Sequence, residues 1–349
     1  MNYKYYLGWD IGGANTKAVL INNNGKVINL ESKFAPLYEN FQHLDTAIID
    51  IAQKMQNDKL CHVVTMTGEL TDIFKSRRDG VKKIISCIEK NINNNVLYFS
   101  DSDLFFTEDV ATSRWTEIAS VNWRASSKFV AKHVSEGLCV DIGSTTTDIT
   151  PISKNKLISS GNNDHERLIT KELVYSGVIR TPVMSIAREL PFQNDTIGLM
   201  AESFAHMSDV YILAGFLKKE ESTFTSADEQ GKSELECARR LARMIGRDVY
   251  PDDNLTSWIK FAETIYKTQC SNLSNACNEV RANAKISEKS PIIGSGQGWF
   301  LAKMIAKNLG CKYIHFDDLL NVQPNPDLVG SVANCAPAYA VAELYRLSL

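Results

Sequence analysis

The sequence predicts an α/β protein built from two copies of one unit, and three observations support this fold class. The chain has 349 residues, which is too long for one simple core and suits two α/β domains. Segments with the period of helices alternate with short apolar strands. The pattern Asp-x-Gly, small polar residues and a second strand occurs twice, at Asp10 and at Asp141.

The composition is that of an ordinary globular protein. Apolar residues make up 44% of the chain and charged residues 23%, and the net charge is −3. A chain with this charge has no basic field that would attract nucleic acid or an anionic membrane. The N-terminus lacks the pattern of a signal peptide, and no apolar run approaches the ~20 residues of a membrane span. We therefore expect a cytoplasmic protein that binds neither nucleic acid nor membrane.

The first copy of the unit begins with a β-meander. Strand-like segments lie at 4–11, 17–22 and 26–30. Helical and strand-like segments then alternate at 40–56, 61–66, 73–91 and 96–99. This order predicts a sheet that is covered by helices.

A predicted helix over 118–134 leads into the second copy. Its strands are expected at 137–141, 148–152 and 157–158. The region 198–282 is mainly helical, with a polar break at 220–233 that is typical of a loop. The last predicted elements are a strand at 291–293, a Gly-rich turn at 294–298, a helix at 299–309, a strand at 313–316, a Pro-rich loop at 323–326 and a helix at 331–347.

The turn after the first strand is the first candidate phosphate site. It comprises Asp10, Gly12, Gly13, Ala14, Asn15, Thr16 and Lys17. Glycines let the backbone approach a ligand, and successive N–H groups in a tight turn form a concavity for anions. An aspartate there cannot bind phosphate itself, but it can hold a Mg²⁺ ion that bridges phosphate oxygens. A plain hairpin turn is the alternative interpretation.

Two later turns have related chemistry. The second comprises Asp141, Gly143, Ser144, Thr145, Thr146 and Asp148, and its hydroxyls can donate to phosphate. The third comprises Gly294, Ser295, Gly296 and Gln297. It opens a helix, whose N-terminus favours phosphate or nucleotide. Each motif is weak alone, but their order and spacing together indicate a phosphate-binding protein.

Together the three turns resemble the two phosphate loops and the adenosine loop of the actin-like ATPase superfamily, which includes hexokinases, actin and heat-shock chaperones. Lys17 follows Asp10 by seven residues, the spacing of the phosphate-contacting lysine of actin. The resemblance implies two duplicated domains of ribonuclease-H type that flank a cleft for phosphate and metal. It implies a first domain at 1–118 plus 332–349, with the first loop, and a second at 119–331, with the other two loops.

A closer resemblance rests on Asn122-Trp123, VDIGSTTTDITPI, DHERLITKELVYSGVIRTPV and TSADEQ…ARRLARMIGRD. These segments are similar to the hydantoinase/oxoprolinase-related group that is linked to tetrahydromethanopterin-dependent one-carbon metabolism. In methanogens this group includes an enzyme of methanofuran biosynthesis. The resemblance implies a transferase of the methanofuran or methylofuran pathway. It would condense an aminomethyl-furanmethanol diphosphate with the phenol of γ-glutamyltyramine and release diphosphate.

The implied reaction assigns roles to the candidate residues. Mg²⁺ or Mn²⁺ held by Asp10 and Asp141, together with Lys17 and the Gly turns, would neutralise the leaving diphosphate. A phenol has a pKa of about 10, so a base or a cation must help it to ionise. Glu69 and Asp148 are the two candidate bases.

Several arginines have two interpretations. Arg180 binds phosphate or a substrate carboxylate, or else it is an ordinary surface arginine. Four further arginines at helical spacing are expected to form a solvated helix face, with binding of the γ-glutamyl carboxylate as the alternative. They are Arg239, Arg240, Arg243 and Arg247.

Two other classes of function remain open. A small-molecule kinase, or an ATP-coupled amide hydrolase of the oxoprolinase kind, would use ATP as a cofactor at Gly294–Gly298. In the transferase the same turn is either structural or a holder of the diphosphate end of the substrate. A nucleotide-switched binding protein like the chaperones is less expected, because no separate peptide-binding domain is evident. The expected partners are small molecules with phosphate or diphosphate groups, and a homodimer is left open.

Overall fold

A computed structural model of the protein describes residues 3–92, 95–322, 324, 328 and 330–349. The chain divides into two units. Unit 1 comprises Met1–Cys139, Thr150–Arg167 and Ile314–Leu349, and unit 2 comprises Val140–Ile149 and Leu168–Tyr313. The domain boundaries after residues 118 and 331, which the resemblance to the actin-like superfamily implies, stay a prediction. The predicted Pro-rich loop at 323–326 lies mostly outside the described residues.

The first sheet has six strands, of which the first three form a meander. The strands are β1 (Tyr5–Ile11), β2 (Asn15–Asn22), β3 (Val27–Phe34), β4 (Leu60–Met66), β5 (Val96–Phe99) and β6 (Phe105–Phe106). Their order in the sheet is β3-β2-β1-β4-β5-β6. The meander is antiparallel, whereas β4 and β5 continue the sheet in parallel from β1. The predicted meander is therefore confirmed.

The helices of unit 1 come from both ends of the chain. They are α1 (Gln42–Lys54), α2 (Arg77–Asn91), α3 (Glu108–Ser113), α4 (Asn122–His133) and α10 (Ala336–Arg346). One face of β1 packs with α1 and α2 through Leu7, Trp9 and Ile11, which are fully buried. The other face carries Gly8, where a Cβ would overlap the carbonyl oxygen of Ala338 in α10. Glycine at this position lets the helix lie directly on the strand.

The second sheet is built in a similar way. Its strands are β7 (Glu136–Ile142), β8 (Thr147–Ser153), β9 (Lys156–Leu157), β10 (Leu173–Val174), β13 (Ile292–Ser295) and β14 (Tyr313–His315). They lie in the order β10-β8-β7-β13-β14, with β9 paired to β8. A separate hairpin joins β11 (Glu189–Phe192) to β12 (Asp195–Gly198).

The remaining helices follow the first strands of the second sheet. They are α5 (Asp164–Ile169), α6 (Met207–Leu213), α7 (Glu234–Arg243), α8 (Thr256–Ala284) and α9 (Trp299–Asn308). The 29-residue helix α8 buries one face, which includes Phe261, Ile265 and Leu273. Among the residues that the structure describes, no helix has the length and apolar character needed to cross a membrane.

The two sheets share one strand order. In each, a hairpin (β1-β2 or β7-β8) forms the middle, a third strand extends its second strand, and two later strands (β4-β5 or β13-β14) extend its first strand. The predicted fold class, α/β with two duplicated units of ribonuclease-H type, is confirmed by this repeated order.

Two helices begin later than the sequence predicts. The helix expected from residue 118 begins at Asn122, because Ser120 has a φ of 55° and a left-handed residue cannot lie inside a right-handed helix. The helix expected from residue 331 begins at Ala336, after a 3₁₀ turn at Val332–Cys335. Pro337 lies in the first turn of this helix, where proline is favoured. The hairpin β11–β12 is an element that the sequence analysis missed.

Candidate functional site

The first loop begins at Asp10, near the end of β1. Asp10 is paired across the β1–β2 hairpin with Lys17, and its side chain is buried. The Nδ2 group of Asn122 donates to Asp10 Oδ1 at 3.3 Å. The backbone N–H of Trp123 donates to Asn122 Oδ1 at 2.7 Å, so the amide is oriented with its NH₂ group toward Asp10. Asn122 is a site residue that the sequence analysis did not assign, although Asn122-Trp123 carries part of the family resemblance.

The glycines of the first loop are required by space. The N–H of Gly12 donates to the carbonyl of Asn15 at 3.0 Å. A Cβ at Gly12 would lie 2.9 Å from that carbonyl oxygen, and one at Gly13 would lie 2.9 Å from Thr71 Cγ2. Thr16 is 0% exposed, so neither its hydroxyl nor its backbone is open to a ligand, whereas Asn15 is half-buried. The loop is therefore a tightly packed turn.

Lys17 has a partner within unit 1. Its Nζ donates to the backbone carbonyl of Asn334 at 2.7 Å. Burial raises the pKa of the neighbouring Cys335 thiol to about 11, and the charges of Lys17 and Asp10 also act on it, in opposite directions. Lys17, Asp10 and Cys335 therefore lie close together at the start of α10. The predicted contact of Lys17 with phosphate stays a prediction.

Glu69 is buried in a turn that packs against the first loop. It lies in the 3₁₀ turn Gly68–Leu70 that follows β4, and it is 1% exposed. Ser120 Oγ donates to Glu69 Oε1 at 2.7 Å, and Arg77 Nη2 lies 3.4 Å from the same oxygen. Burial raises the pKa of Glu69, although Ser120 and Arg77 act against this shift. A Cβ at Gly68 would lie 3.1 Å from the carbonyl oxygen of Gly12, so this turn is packed directly against the loop.

The second loop repeats the geometry of the first. It follows Asp141 at the end of β7, and the N–H of Gly143 donates to the carbonyl of Thr146 at 2.8 Å. The segment around Arg180 is fastened to it, since the backbone N–H groups of Ile179 and Arg180 donate to the carbonyl of Ser144 at 3.0 and 2.9 Å. The structure thus places Arg180 beside the second loop.

Gly177 makes this approach possible. A Cβ at Gly177 would lie 2.5 Å from the backbone nitrogen of Thr145 and 2.6 Å from the carbonyl oxygen of Gly143. Asp148 lies farther along β8, where it is half-buried and paired with Leu173 of β10. Its role as a base stays a prediction.

The third loop packs against the start of the second. Gly296 has a φ of 79°, and a Cβ there would overlap both the carbonyl oxygen of Ile142 and Oδ1 of Asp141. The N–H of Gly298 donates to the carbonyl of Ile142 at 2.8 Å. Within unit 2, the structure therefore brings Asp141, the second loop and the third loop together.

The remaining residues of the third loop differ in exposure. Ser295 is fully buried, and its Oγ makes no hydrogen bond to any residue that the structure describes. A Cβ at Gly294 would lie 2.7 Å from the ring of Tyr313, so packing accounts for this glycine. Gln297 is half-buried, and its Nε2 donates to the carbonyl of Glu221 at 2.8 Å. Gln297 thereby connects the third loop to the polar segment 218–233.

The prediction of a solvated arginine face is wrong for Arg240. This residue is 0% exposed, and its Nε donates to Asp209 Oδ1 at 2.9 Å. Its Nη1 donates to Asp228 Oδ1, also at 2.9 Å. Arg243 remains half exposed on the surface, with its Nη1 at 2.7 Å from Asp228 Oδ2. Helical spacing alone cannot distinguish these two arginines, because their burial depends on the segment that packs on α7.

The carboxylates present fit a hard cation. Within the described ranges, no group of three or more His, Cys, Asp or Glu side chains is arranged to hold a metal. Asp10 and Asp141 each place one buried or half-buried carboxylate beside a Gly turn. Mg²⁺ is typically held by one or two carboxylates, with substrate phosphates and water completing its shell. Each carboxylate, taken within its own unit, is therefore suited to Mg²⁺ rather than to a metal that needs a full protein cage.

Several known proteins are similar to this chain in sequence or in fold. The hydantoinase/oxoprolinase family model matches residues 61–322. A relative from Methanocaldococcus jannaschii, named (4-{4-[2-(gamma-L-glutamylamino)ethyl]phenoxymethyl}furan-2-yl)methanamine synthase, is 35% identical over 264 residues, which are 74% of this chain and 77% of the relative. A protein of the same name from Methanococcus vannielii is 28% identical over 123 residues, which are 35% of this chain and 55% of that protein. The nucleotide-free structure of acetone carboxylase aligns with 97% of this chain and 70% of its own, with a TM-score of 0.58 and 12% identity, and it shows the fold alone.

Proposed function

Since the chain belongs to the hydantoinase/oxoprolinase family, we propose that it catalyses the reaction for which its curated relatives are named. The observation that carries this proposal is the 35% identity to the methanamine synthase over 74% of the chain. In the proposed reaction the phenol oxygen of γ-glutamyltyramine forms an ether bond to the methylene carbon of the furan. The bond from that carbon to diphosphate breaks, and diphosphate and the phenol proton are released. This is a transferase reaction of methanofuran or methylofuran biosynthesis.

The leaving diphosphate sets the main electrostatic demand. The furan oxygen stabilises positive charge on the methylene carbon, so the bond to diphosphate breaks early. The enzyme must then stabilise the negative charge that develops on the leaving group. We assign this role to the backbone N–H groups of the first and second loops, to the hydroxyls of Ser144, Thr145 and Thr146, and to Lys17. Mg²⁺ or Mn²⁺, held by Asp10 and Asp141, would neutralise part of the same charge when bound.

The phenol must lose its proton. Of the two candidate bases, Glu69 is fully buried and engaged by Ser120 and Arg77, whereas Asp148 is half-buried. A base must reach the proton that it removes. Exposure therefore favours Asp148, and Glu69 fits better as a support of the first loop.

The decisive experiment combines the protein with Mg²⁺, γ-glutamyltyramine and the furan diphosphate, with no nucleotide present. Mass spectrometry of the product and a diphosphate assay are expected to show one diphosphate for each aryl ether. Asp141→Asn is the matched control and should slow the formation of both products together, by about 10³-fold. Failure of the wild-type protein to form the ether would contradict the proposal.

A second function is favoured by one feature of unit 2. The third loop opens α9, and Gly296, with its φ of 79°, brings the backbone against Asp141, a geometry suited to a nucleotide as well as to diphosphate. An ATP-dependent kinase or hydrolase would release ADP from ATP and γ-glutamyltyramine without any furan diphosphate. Steady release of ADP in that mixture would favour this function over the transferase.

A further inference from the structure

We propose that the segment 218–233, called the acceptor loop below, forms with Arg180 the binding site for the phenol of the acceptor substrate. Phe224 of this loop is the ring against which the phenol lies. The inference rests on the proposed function, because it names the part of the site that receives the nucleophile. The loop contains the polar break that was predicted at 220–233, and its TSADEQ segment is part of the family resemblance.

The acceptor loop contacts the third loop directly and is connected to the second loop through Arg180. Glu221 accepts a hydrogen bond from Gln297 of the third loop at 2.8 Å. The guanidinium carbon of Arg180 lies 5.2 Å from the centroid of the Phe224 ring. The backbone N–H of Arg180 in turn donates to Ser144 of the second loop at 2.9 Å. A ligand held at Phe224 would therefore adjoin the loops that we assign to diphosphate.

The chemistry of this pair suits a phenol. Phe224 and Arg180 are both half-buried, so each presents part of its surface to a ligand. Two aromatic rings associate at centroid separations of ~4.5–7 Å, which a phenol can adopt against Phe224. A guanidinium near a phenol oxygen stabilises the phenolate and lowers the pKa of the phenol. One residue thus holds the ring, while its neighbour promotes ionisation of the hydroxyl group.

A buried charge network holds the acceptor loop in place. Arg240 of α7 donates from Nε to Asp209 of α6 at 2.9 Å. From Nη1 it donates to Asp228 and to the carbonyl of Gly231, both in the loop, at 2.9 and 3.0 Å. Lys232 donates to the carbonyl of Ser222 within the same loop. Because a fully buried guanidinium must keep its partners, this arrangement restricts an otherwise irregular polar segment.

Phe224 is positioned from a second side as well. The ring of His206 meets it edge-on, with 5.1 Å between the centroids. His206 precedes α6, and Asp209 of that helix is the partner of Arg240. The aromatic contact and the charge network therefore both involve the N-terminal end of α6. We infer that Phe224 and Arg180 are specificity-determining residues and that Arg240 is a positioning residue.

Steady-state kinetics of Phe224→Ala test this inference. We expect the KM for γ-glutamyltyramine to rise about 10-fold, while the KM for the furan diphosphate stays within about 2-fold. Phe224→Tyr keeps the ring and should resemble the wild type. Phe216→Ala is the matched control, because Phe216 is also a partly exposed aromatic residue of unit 2 but stacks on Phe300 of α9. It should leave both KM values unchanged.

The charge network that holds the acceptor loop is tested by Asp228→Asn, which keeps the size of the side chain and removes its charge. We expect the KM for γ-glutamyltyramine to rise about 3-fold, with the thermal midpoint measured alongside to confirm that unit 2 remains folded. A rise confined to the KM for the furan diphosphate would show that Arg180 and Phe224 serve the diphosphate end and would overturn the inference. Equal KM values for Phe224→Ala and wild type would overturn it too.

Calorimetric binding separates a failure of this inference from a failure of the proposed function. Wild-type protein is titrated with γ-glutamyltyramine and, separately, with inorganic diphosphate. Loss of γ-glutamyltyramine binding in Phe224→Ala, with diphosphate binding intact, supports the acceptor site even if no ether forms. Binding that is equal in Phe224→Ala and wild type contradicts it, whatever the activity of the wild type.

Discussion

The first and second loops occupy the same place in two similar sheets, yet they are supported in different ways. Each begins with an Asp-x-Gly sequence, and each is closed by one backbone hydrogen bond. This bond runs from the N–H of Gly12 to the carbonyl of Asn15 at 3.0 Å, or from the N–H of Gly143 to the carbonyl of Thr146 at 2.8 Å. The first loop is backed by buried polar side chains, above all Glu69. The second loop is instead packed against the backbone of two other segments, at Gly177 and at Gly296. Duplication thus repeated the hairpin, whereas the support around each copy is different.

The largest expected effect compares the two aspartates. If Asp10 and Asp141 both hold the metal, Asp10→Asn and Asp141→Asn should each reduce kcat/KM by about 10³-fold, since removal of a group that stabilises transition-state charge typically costs about 10²–10³. Calorimetric titration with Mg²⁺ and diphosphate provides a readout that is independent of activity. A loss at only one aspartate would show that the two loops differ in function as well as in support.

Glycine substitution should damage unit 2 through backbone overlap. Gly296→Ala combines a φ of 79° with overlap at Ile142 and Asp141, so we expect a loss of about 3 kcal/mol in the free energy of unfolding. Gly215 has a φ of 77°, and a Cβ there would meet no atom of the described residues within 4 Å. Gly215→Ala therefore isolates the cost of backbone strain, about 1 kcal/mol. Urea unfolding measures both variants. Similar losses in the two would mean that the close approach of the third loop contributes nothing.

Acid should weaken unit 1 through its buried histidine. Burial lowers the pKa of His62 from 6.5 to about 4, and its Nδ1 accepts the indole N–H of Trp9 at 3.1 Å. Between these pKa values the unfolded chain binds the proton and the folded chain does not. Stability is therefore lost as the pH falls below 6.5, by about 2 kcal/mol at pH 5. Urea unfolding at pH 7.5 and pH 5 should show this loss in wild type and a smaller one in His62→Gln. If His62→Gln lost as much free energy of unfolding between pH 7.5 and pH 5 as the wild type, the acid sensitivity would come from other groups.

The smallest expected effect is at Lys17. Its ammonium group donates a hydrogen bond to the Asn334 carbonyl within unit 1. Lys17→Ala therefore tests whether the charge also contributes to binding of diphosphate. We expect diphosphate to bind about 10-fold more weakly, with the fold intact by circular dichroism. Lys26, on the turn before β3, is an exposed control whose substitution should change nothing. Unchanged affinity for diphosphate in Lys17→Ala would leave Lys17 with a structural role only.

Much of the fold was predictable because it depends on local patterns. Short strand-like segments indicated the three strands of the meander, with a Gly-rich turn and the Asn-Asn-Asn-Gly turn at 22–25 between them. The positions of the three Gly turns were also predictable, because glycine is needed wherever backbone segments meet closely, while their role as ligand loops stays a prediction. Helix starts were less predictable. Ser120 adopts a left-handed conformation that no sequence rule assigns to serine, and it delays the start of α4.

Single side chains of the site were predicted less well than the loops. Glu69 was one of two candidate bases, and that role stays a prediction; its burial beside Ser120 follows from contacts between residues that are distant in the sequence. Asn122 faces Asp10 for the same reason. Arg240 was expected on a solvated face, and only the packing of the segment that contains Asp228 explains its burial.

The sequence by itself determined the duplicated α/β order, the Asp-x-Gly loops and the family, because hydrophobic period, glycine spacing and motif identity are properties of neighbouring residues. Only the tertiary structure decided which polar groups support each loop. It brought Arg180 to the second loop through Gly177, where a side chain would collide with Thr145. It also buried Arg240 between Asp209 and Asp228, since a charge is buried only where distant partners satisfy it.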